Sequence, residues 1–201
     1  SSAGSVTETA GSGTVTGSHA YSTVGVYTVN LTVTDDGGGV DRETASVAIT
    51  GVEVVGHTLY VVGTKGDDHV TVNQTGNGLF KVHADFLPDS SRDIPASGVE
   101  RIYVILCGGD DQATIAGNIT LPAIIDGGSG NDQLNGGGGG NVLLGGTGDD
   151  QLLGGSIGDI LIGGLGRDRL VGNGSDDILV GGDATVDPGP ADPPDRSALA
   201  L

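Results

Sequence analysis

The tightest constraint on this chain is a repeat of nine residues between positions 127 and 182. Cut every nine residues from Gly127, the chain reads GGSGNDQLN, GGGGGNVLL, GGTGDDQLL, GGSIGDILI, GGLGRDRLV and GNGSDDILV. The first place is always Gly. The eighth is always Leu: Leu134, Leu143, Leu152, Leu161, Leu170 and Leu179. A unit this short cannot bury its apolar residue alone, so neighbouring units must stack to make a core. Each unit divides into a six-residue turn and a three-residue strand, the glycines permitting positive φ and close approach of carbonyls in the turn. Two units then form one coil. The eighth-place Leu points inward and stacks on the Leu one coil away, at the ~4.8 Å spacing of paired strands.

The sixth place holds Asp132, Asn141, Asp150, Asp159, Asp168 and Asp177. Stacked carboxylates repel one another, and a hard cation with a shell of six to eight oxygens removes that conflict. The composition points the same way. The 201 residues carry a formal net charge of −18, and only four of the 26 acids are Glu. Short, stiff Asp suits turns and oxygen-ligand cation sites, whereas a merely solubilised surface has no reason to avoid Glu.

The units are similar to the GGxGxDxUx nonapeptide of RTX (haemolysin-type) proteins, and the resemblance covers about 56 residues. It implies a parallel β-roll with Ca²⁺ as cofactor, each ion lying between turns on the same edge. On that reading the metal-site residues are Gly128, Gly130 and Asp132; Gly146, Gly148 and Asp150; Gly164, Gly166 and Asp168; with Asp111, Asp159 and Asp177. A period of 18 overlies the nine. Units starting at Gly127, Gly145 and Gly163 match the consensus in full, while the alternate units break it at Asn141, Ile157, Asn173 and Ser175. One edge should therefore hold Ca²⁺ well and the other poorly. Asp111 lies 21 residues before Asp132 and extends the favourable edge.

The rest of the chain also reads as strands, so the expected class is all-β. In 52–126, short β-rich runs at 59–62, 69–72, 79–83 and 101–106 alternate with Gly-Asp turns. GTKGDD at 63–68 and CGGDD at 107–111 look like degenerate outlying copies of the repeat, which makes this region continuous with the roll. In 1–51, Tyr27, Val29, Leu31 and Val33 alternate with polar residues, as do Ala45, Val47 and Ile49. This predicts two strands, each with one buried face, joined by a turn at 35–39. The string GVYTVNLTVTDDGGG resembles the C-terminal half of a PKD module, an Ig-like β-sandwich. Residues 183–201 read as a Pro/Asp-rich tail or cap, ending as though a capping helix were cut short, and the chain as a whole reads as part of a longer one.

Several functions are excluded or unsupported. The negative charge repels nucleic acid and anionic lipid, and no apolar run approaches the ~18 residues of a membrane span. GGSIG at 154–158 fits a nucleophile-elbow pattern around Ser156, but it lies in a repeat turn with no later His. His19, His57, His69 and His83 show no ligand spacing, and His69 reads as a strand residue. The single Cys107 excludes an internal disulfide and reads as a small buried hydrophobe. Sequons at Asn30, Asn73, Asn118 and Asn173 leave surface glycans open.

Two readings of function remain. One is a non-catalytic, calcium-binding structural module of a surface, adhesive or fibre-forming protein. The other is the secretion and stability region of a larger secreted enzyme such as a lipase or protease. The resemblance implies a bacterial, extracellular setting for both. The outward positions of the second group of units are Val142, Leu144, Ile160, Ile162, Ile178 and Val180. A sheet apolar on both faces is normally covered on both, so this face is expected to pack on another layer of the chain or to drive self-association into an oligomer or filament.

Overall fold

A computed structural model describes residues 5–9, 12–16, 20–34 and 38–182, and every regular element in it is a β-strand. Two antiparallel hairpins come first: β1 (Ser5–Thr9) with β2 (Ser12–Thr16), and β3 (Gly25–Thr34) with β4 (Val40–Ile49). The second pairs the two alternating segments the sequence predicts. Its expected buried face is found only in part: Tyr27, Val47 and Ile49 are half-buried, while Val29, Leu31 and Ala45 on the same face are exposed. On the other face Val26 and Val40 are exposed too, because a two-stranded ribbon supplies a single layer. The turn residues 35–37 and the tail 183–201 lie outside the described residues. The ribbon is tied to the next strand of the chain through Val24 N–H, which donates to Glu53 Oε2 at 3.0 Å.

From residue 51 onward the chain winds between two seven-stranded sheets. The first contains β5 (Gly51–Val55), β6 (Thr58–Val62), β10 (Arg101–Ile105), β12 (Ala123–Ser129), β14 (Asn141–Thr147), β16 (Ile160–Leu165) and β18 (Ile178–Val180), in that spatial order. The second runs β9 (Ser91–Pro95), β8 (Leu79–Ala84), β7 (His69–Gln74), β11 (Gln112–Ile115), β13 (Gln133–Asn135), β15 (Gln151–Leu153) and β17 (Arg169–Val171). Pairing is parallel from β6 and from β7 to the far ends. It is antiparallel where β5 joins β6 and where β8 and β9 extend β7.

The register carries the period. Leu134 pairs with Leu152 and Leu152 with Leu170; Leu143 pairs with Leu161 and Leu161 with Leu179. The degenerate copies fall in the same register, Gln112 pairing with both His69 and Gln133. Successive coils are 43, 21, 18 and 18 residues long, read between equivalent Asp residues. The longest is the coil that carries the β8–β9 meander. The antiparallel strands put ordinary core residues at the start of the stack: Val52, Phe80 and Val82 are buried there. At the other end Ile178 and Leu179 are exposed, since no further coil is described above them.

Between the sheets the core is a column of aliphatics, with Leu134, Leu143, Leu152 and Leu161 fully buried. Their neighbours Val142, Leu144, Ile160 and Ile162 point out of the first sheet and are half-buried, as is Val180. Register extends one of these outward rows through Ile124 and Tyr103 to Tyr60.

Burial ranks the leucines. Leu152→Ala, in the middle of the column, should lower unfolding free energy by about 2–5 kcal/mol. Leu179→Ala, 47% exposed on the last strand, should cost about 1 kcal/mol or less. Urea midpoints of the calcium-saturated variants check this, and equal losses would show that the column is not the core.

Candidate metal centre

Each coil reverses direction at two edges, and the turns stack into two rows. The first row holds the turns at 63–68, 106–111, 127–132, 145–150 and 163–168. They end on Asp68, Asp111, Asp132, Asp150 and Asp168, and the strands after these turns pair in register. These carboxylates form a ladder. The backbone N–H of Asp68 donates to Asp111 Oδ1 at 2.7 Å, Asp111 N–H to Asp132 Oδ1 at 2.9 Å, Asp132 N–H to Asp150 Oδ1 at 2.8 Å, and Asp150 N–H to Asp168 Oδ1 at 3.0 Å. One oxygen of each is thus committed to the coil before it. The other is not: Oδ2 of Asp111, Asp132, Asp150 and Asp168 is buried with no hydrogen-bond partner.

The glycines make room for this arrangement. In the turn 145–150, Gly146 and Gly148 have φ of +109° and +127°, and a Cβ on either would lie 2.0 Å from the carbonyl oxygen of Gly128 or Gly130 in the coil below. Only glycine meets both demands. Gly128, Gly130, Gly164 and Gly166 occupy the same two places with φ between +101° and +133°. At the first place, a Cβ on Gly127 would meet Asp132 Oδ2 at 2.1 Å and Gly145 O at 2.8 Å. The unpartnered oxygen and a carbonyl of the next coil therefore border the same small space. Cys107 sits where Gly128 sits one coil later, with φ +77° and only half-buried. This corrects its reading as a buried hydrophobe: the register puts it in a turn, not a strand.

A buried, unpaired carboxylate oxygen is costly. Burial, more than repulsion from its neighbours, pushes Asp111 up to about 7 and Asp132 up to about 6, and it raises Asp68 and Asp150 as well. A hard cation would satisfy these oxygens. Among the described residues no three His, Cys, Asp or Glu side chains gather as a metal cluster. Any ion here draws the rest of its shell from turn carbonyls, which calcium accepts and softer metals do not favour.

The second row holds the turns ending on Asn141, Asp159 and Asp177. Asp159 N–H donates to Asp177 Oδ1 at 2.9 Å and Asn141 N–H to Asp159 Oδ1 at 2.7 Å, so the ladder recurs. At Asp159 the second oxygen is engaged within the turn, for Oδ2 accepts from Gly155 N–H. The same row carries Ser156, exposed in the turn between β15 and β16 with a strand rather than a helix after it. That context does not make a nucleophile elbow.

A further ladder was missed in the sequence. At the fifth place, Asp110 N–H donates to Asp67 Oδ1 (2.9 Å), Asn131 N–H to Asp110 Oδ1 (2.8 Å), Asp149 N–H to Asn131 Oδ1 (2.9 Å), and Arg167 N–H to Asp149 Oδ1 (2.9 Å). These residues are exposed. Asp67, Asp85, Asp110 and Asp149 line an open acidic groove of about 480 Å³ that also takes in His69 on β7. The signal was a polar, hydrogen-bonding side chain at every fifth place of this edge.

The comparisons with known proteins agree with the turns. Residues 124–152 and 153–184 match the family model of the RTX calcium-binding nonapeptide repeat, four copies to a model. This part of the chain carries RTX nonapeptide repeats, wound as a parallel β-roll. The match begins on β12 and so includes the consensus turns of the first row but not those at 63–68 and 106–111. No curated protein and no solved structure matches the chain.

The buried carboxylates set a pH dependence for the calcium-free RTX roll. An acid whose pKa is raised by folding keeps its proton where the unfolded chain has released it. Its contribution is thus fully present below about pH 4 and is lost as pH rises through about 7, the raised value at Asp111. Urea midpoints in chelator should be higher at pH 5 than at pH 7.5. A midpoint that instead rose with pH would mean the carboxylates are not buried in the calcium-free chain.

Proposed function

We propose that this chain is a non-catalytic, extracellular structural module whose RTX roll is set by calcium held between the turns of the first row. One observation carries the reading. Four successive Asp residues, 111, 132, 150 and 168, each present one buried carboxylate oxygen with no partner, in turns whose glycines bring carbonyls alongside. Calcium satisfies those oxygens, neutralises the stacked charge and displaces the protons that burial would otherwise hold there. Binding is then coupled to ordering of the coils. The antiparallel start of the stack, whose apolar residues are continuous with the leucine column, is the platform on which the calcium-dependent coils assemble. The outward row of Val142, Leu144, Ile160, Ile162, Ile178 and Val180 is the surface through which such a module would associate with its own kind or with the rest of a longer chain. Its support is that all six are aliphatic and lie side by side in register.

Calcium should raise the thermal midpoint of chelator-treated protein. At about 10 mM, some 10–100 times the dissociation constant typical of extracellular sites, each site adds about 1.4–2.7 kcal/mol. An unchanged midpoint would sink the calcium reading.

The two rows should differ. Asp150→Ala removes an unpartnered oxygen from the first row and should weaken calcium binding by about tenfold or more. Asp159→Ala removes a carboxylate whose oxygens are already bonded, and should leave calcium affinity nearly unchanged. Titration calorimetry on both variants decides, and equal losses would show that the rows are equivalent.

A further inference from the structure

The turns differ in the backbone of their second residue, and that difference sorts their carboxylates. In the first row, where the second residue is left-handed, as at Cys107, Gly128, Gly146 and Gly164, the Asp that closes the turn keeps an unpartnered Oδ2. Asn173 is left-handed as well, at φ +74°, but the Asp177 that closes its second-row turn has no such buried oxygen. Where the second residue is not left-handed, its N–H turns inward and takes that place. Thr64 N–H donates to Asp68 Oδ2 at 2.7 Å, and Gly155 N–H donates to Asp159 Oδ2. The turn at 136–141 goes further. None of its glycines has positive φ, although it keeps every glycine of the consensus. Its sixth residue is Asn141, whose Nδ2 lies 2.6 Å from the position of a Cβ on Gly136, the place that Asp Oδ2 takes in the other turns. From there Nδ2 donates to Gly139 O at 2.8 Å, to Asp159 Oδ1 at 2.9 Å and, more weakly, to Gly137 O at 3.4 Å. Asn141 Oδ1 in turn accepts from Gly137 N–H at 3.3 Å. The side chain is buried. Two carbonyls and a carboxylate oxygen, the ligand types a calcium ion would collect, converge instead on one amide nitrogen.

We infer that the Asn141 amide stands in for a cation, so that the second-row turns at 136–141 and 154–159 are closed without calcium. This rests on the calcium reading of the first row. It gives the roll one edge that waits for the ion and one held by the polypeptide itself. In low calcium the second edge keeps the coils in register, and binding at the first edge completes them.

The test compares wild type, Asn141→Ala and Asn141→Asp in the full chain, using calcium alone as the probe. Ion stoichiometry is measured by titration, and thermal midpoints are measured in chelator and in calcium. Asn141→Ala should bind the wild-type number of ions and melt lower in both conditions, because the carbonyls of Gly137 and Gly139 lose this donor and Asp159 Oδ1 keeps only the backbone N–H of residue 141. Asn141→Asp restores the consensus and sets a carboxylate against those oxygens. It should melt lowest in chelator, bind one ion more than wild type, and recover more than the alanine variant when calcium is added. A lower ion count in Asn141→Ala would make Asn141 a calcium ligand and overturn the inference. So would an aspartate variant that gains no ion and shows no added recovery. Either result leaves the first row standing if wild type still binds. A wild type that binds no calcium overturns the reading of the first row and the inference with it.

Discussion

Everything in the roll depends on one contact made again at each coil: a backbone N–H donating to the carboxylate of the equivalent Asp in the next coil. It spans 43, 21, 18 and 18 residues in the first row while keeping a length of 2.7–3.0 Å. The contact fixes register, because a slip of one residue would point the eighth-place Leu to solvent. It also creates the chemical problem of the fold. Aligning coils by this bond brings carboxylates together in a dry column, and a carboxylate has two oxygens while the ladder uses one.

The chain answers the surplus oxygen in three ways. Thr64 meets Asp68 with both its N–H and its hydroxyl, the latter donating to Oδ1 at 2.9 Å. Gly155 meets Asp159 with its N–H, and Asn141 replaces the acid by an amide. At Asp111, Asp132, Asp150 and Asp168 the second oxygen is left without a partner, and the calcium reading proposed above assigns it to an ion. Along the first row the choice follows a backbone angle. A left-handed second residue turns its N–H away from the carboxylate, and glycine is the residue that takes this angle cheaply. The consensus glycines are thus more than spacers, since they withhold a donor that would otherwise quench the site. Thr64, β-branched and costly at positive φ, cannot do this, and its turn is self-satisfied.

The same contact explains which features are legible in the residues alone. The two-unit coil, the inward leucines and the two unlike edges are legible because they depend on period and residue type, which a sequence displays directly. The turns at 63–68 and 106–111 are legible from their Gly-Asp ending. The length of the coil between them is not, since nothing local says that β8 and β9 extend the same sheet. The expected burial of the β3–β4 ribbon is found only in part for a related reason: alternation announces a face suited to burial but not the layer that would bury it. Cys107 is misleading because its side chain is apolar while its register position is that of a glycine. The fifth-place ladder is hidden because only three of its five residues, Asp67, Asp110 and Asp149, are of one type, the others being Asn131 and Arg167. They share only a side chain or backbone that can continue a hydrogen bond.

The unequal edges bear on how such a roll assembles. A stack whose every turn required an ion would have no register until ions arrived, and ions would have no shell until register was set. The coils here escape that circle. Their first turn is closed by Thr64, their antiparallel start buries Phe80, Val82 and Val52, and one second-row turn is bridged by an amide within hydrogen-bond reach of the next coil. Register can therefore precede metal, and on the proposed reading calcium meets carbonyls and carboxylate oxygens already gathered along a single edge. Loop-closure and ordering costs fall partly on the polypeptide's own contacts and only partly on the ion. If calcium fills the first row as proposed, a roll built this way responds to it in a graded manner. Its start is held by packing, its middle is pinned along one edge, and its last strand is the least secured, with Leu179 facing solvent where its equivalents are buried.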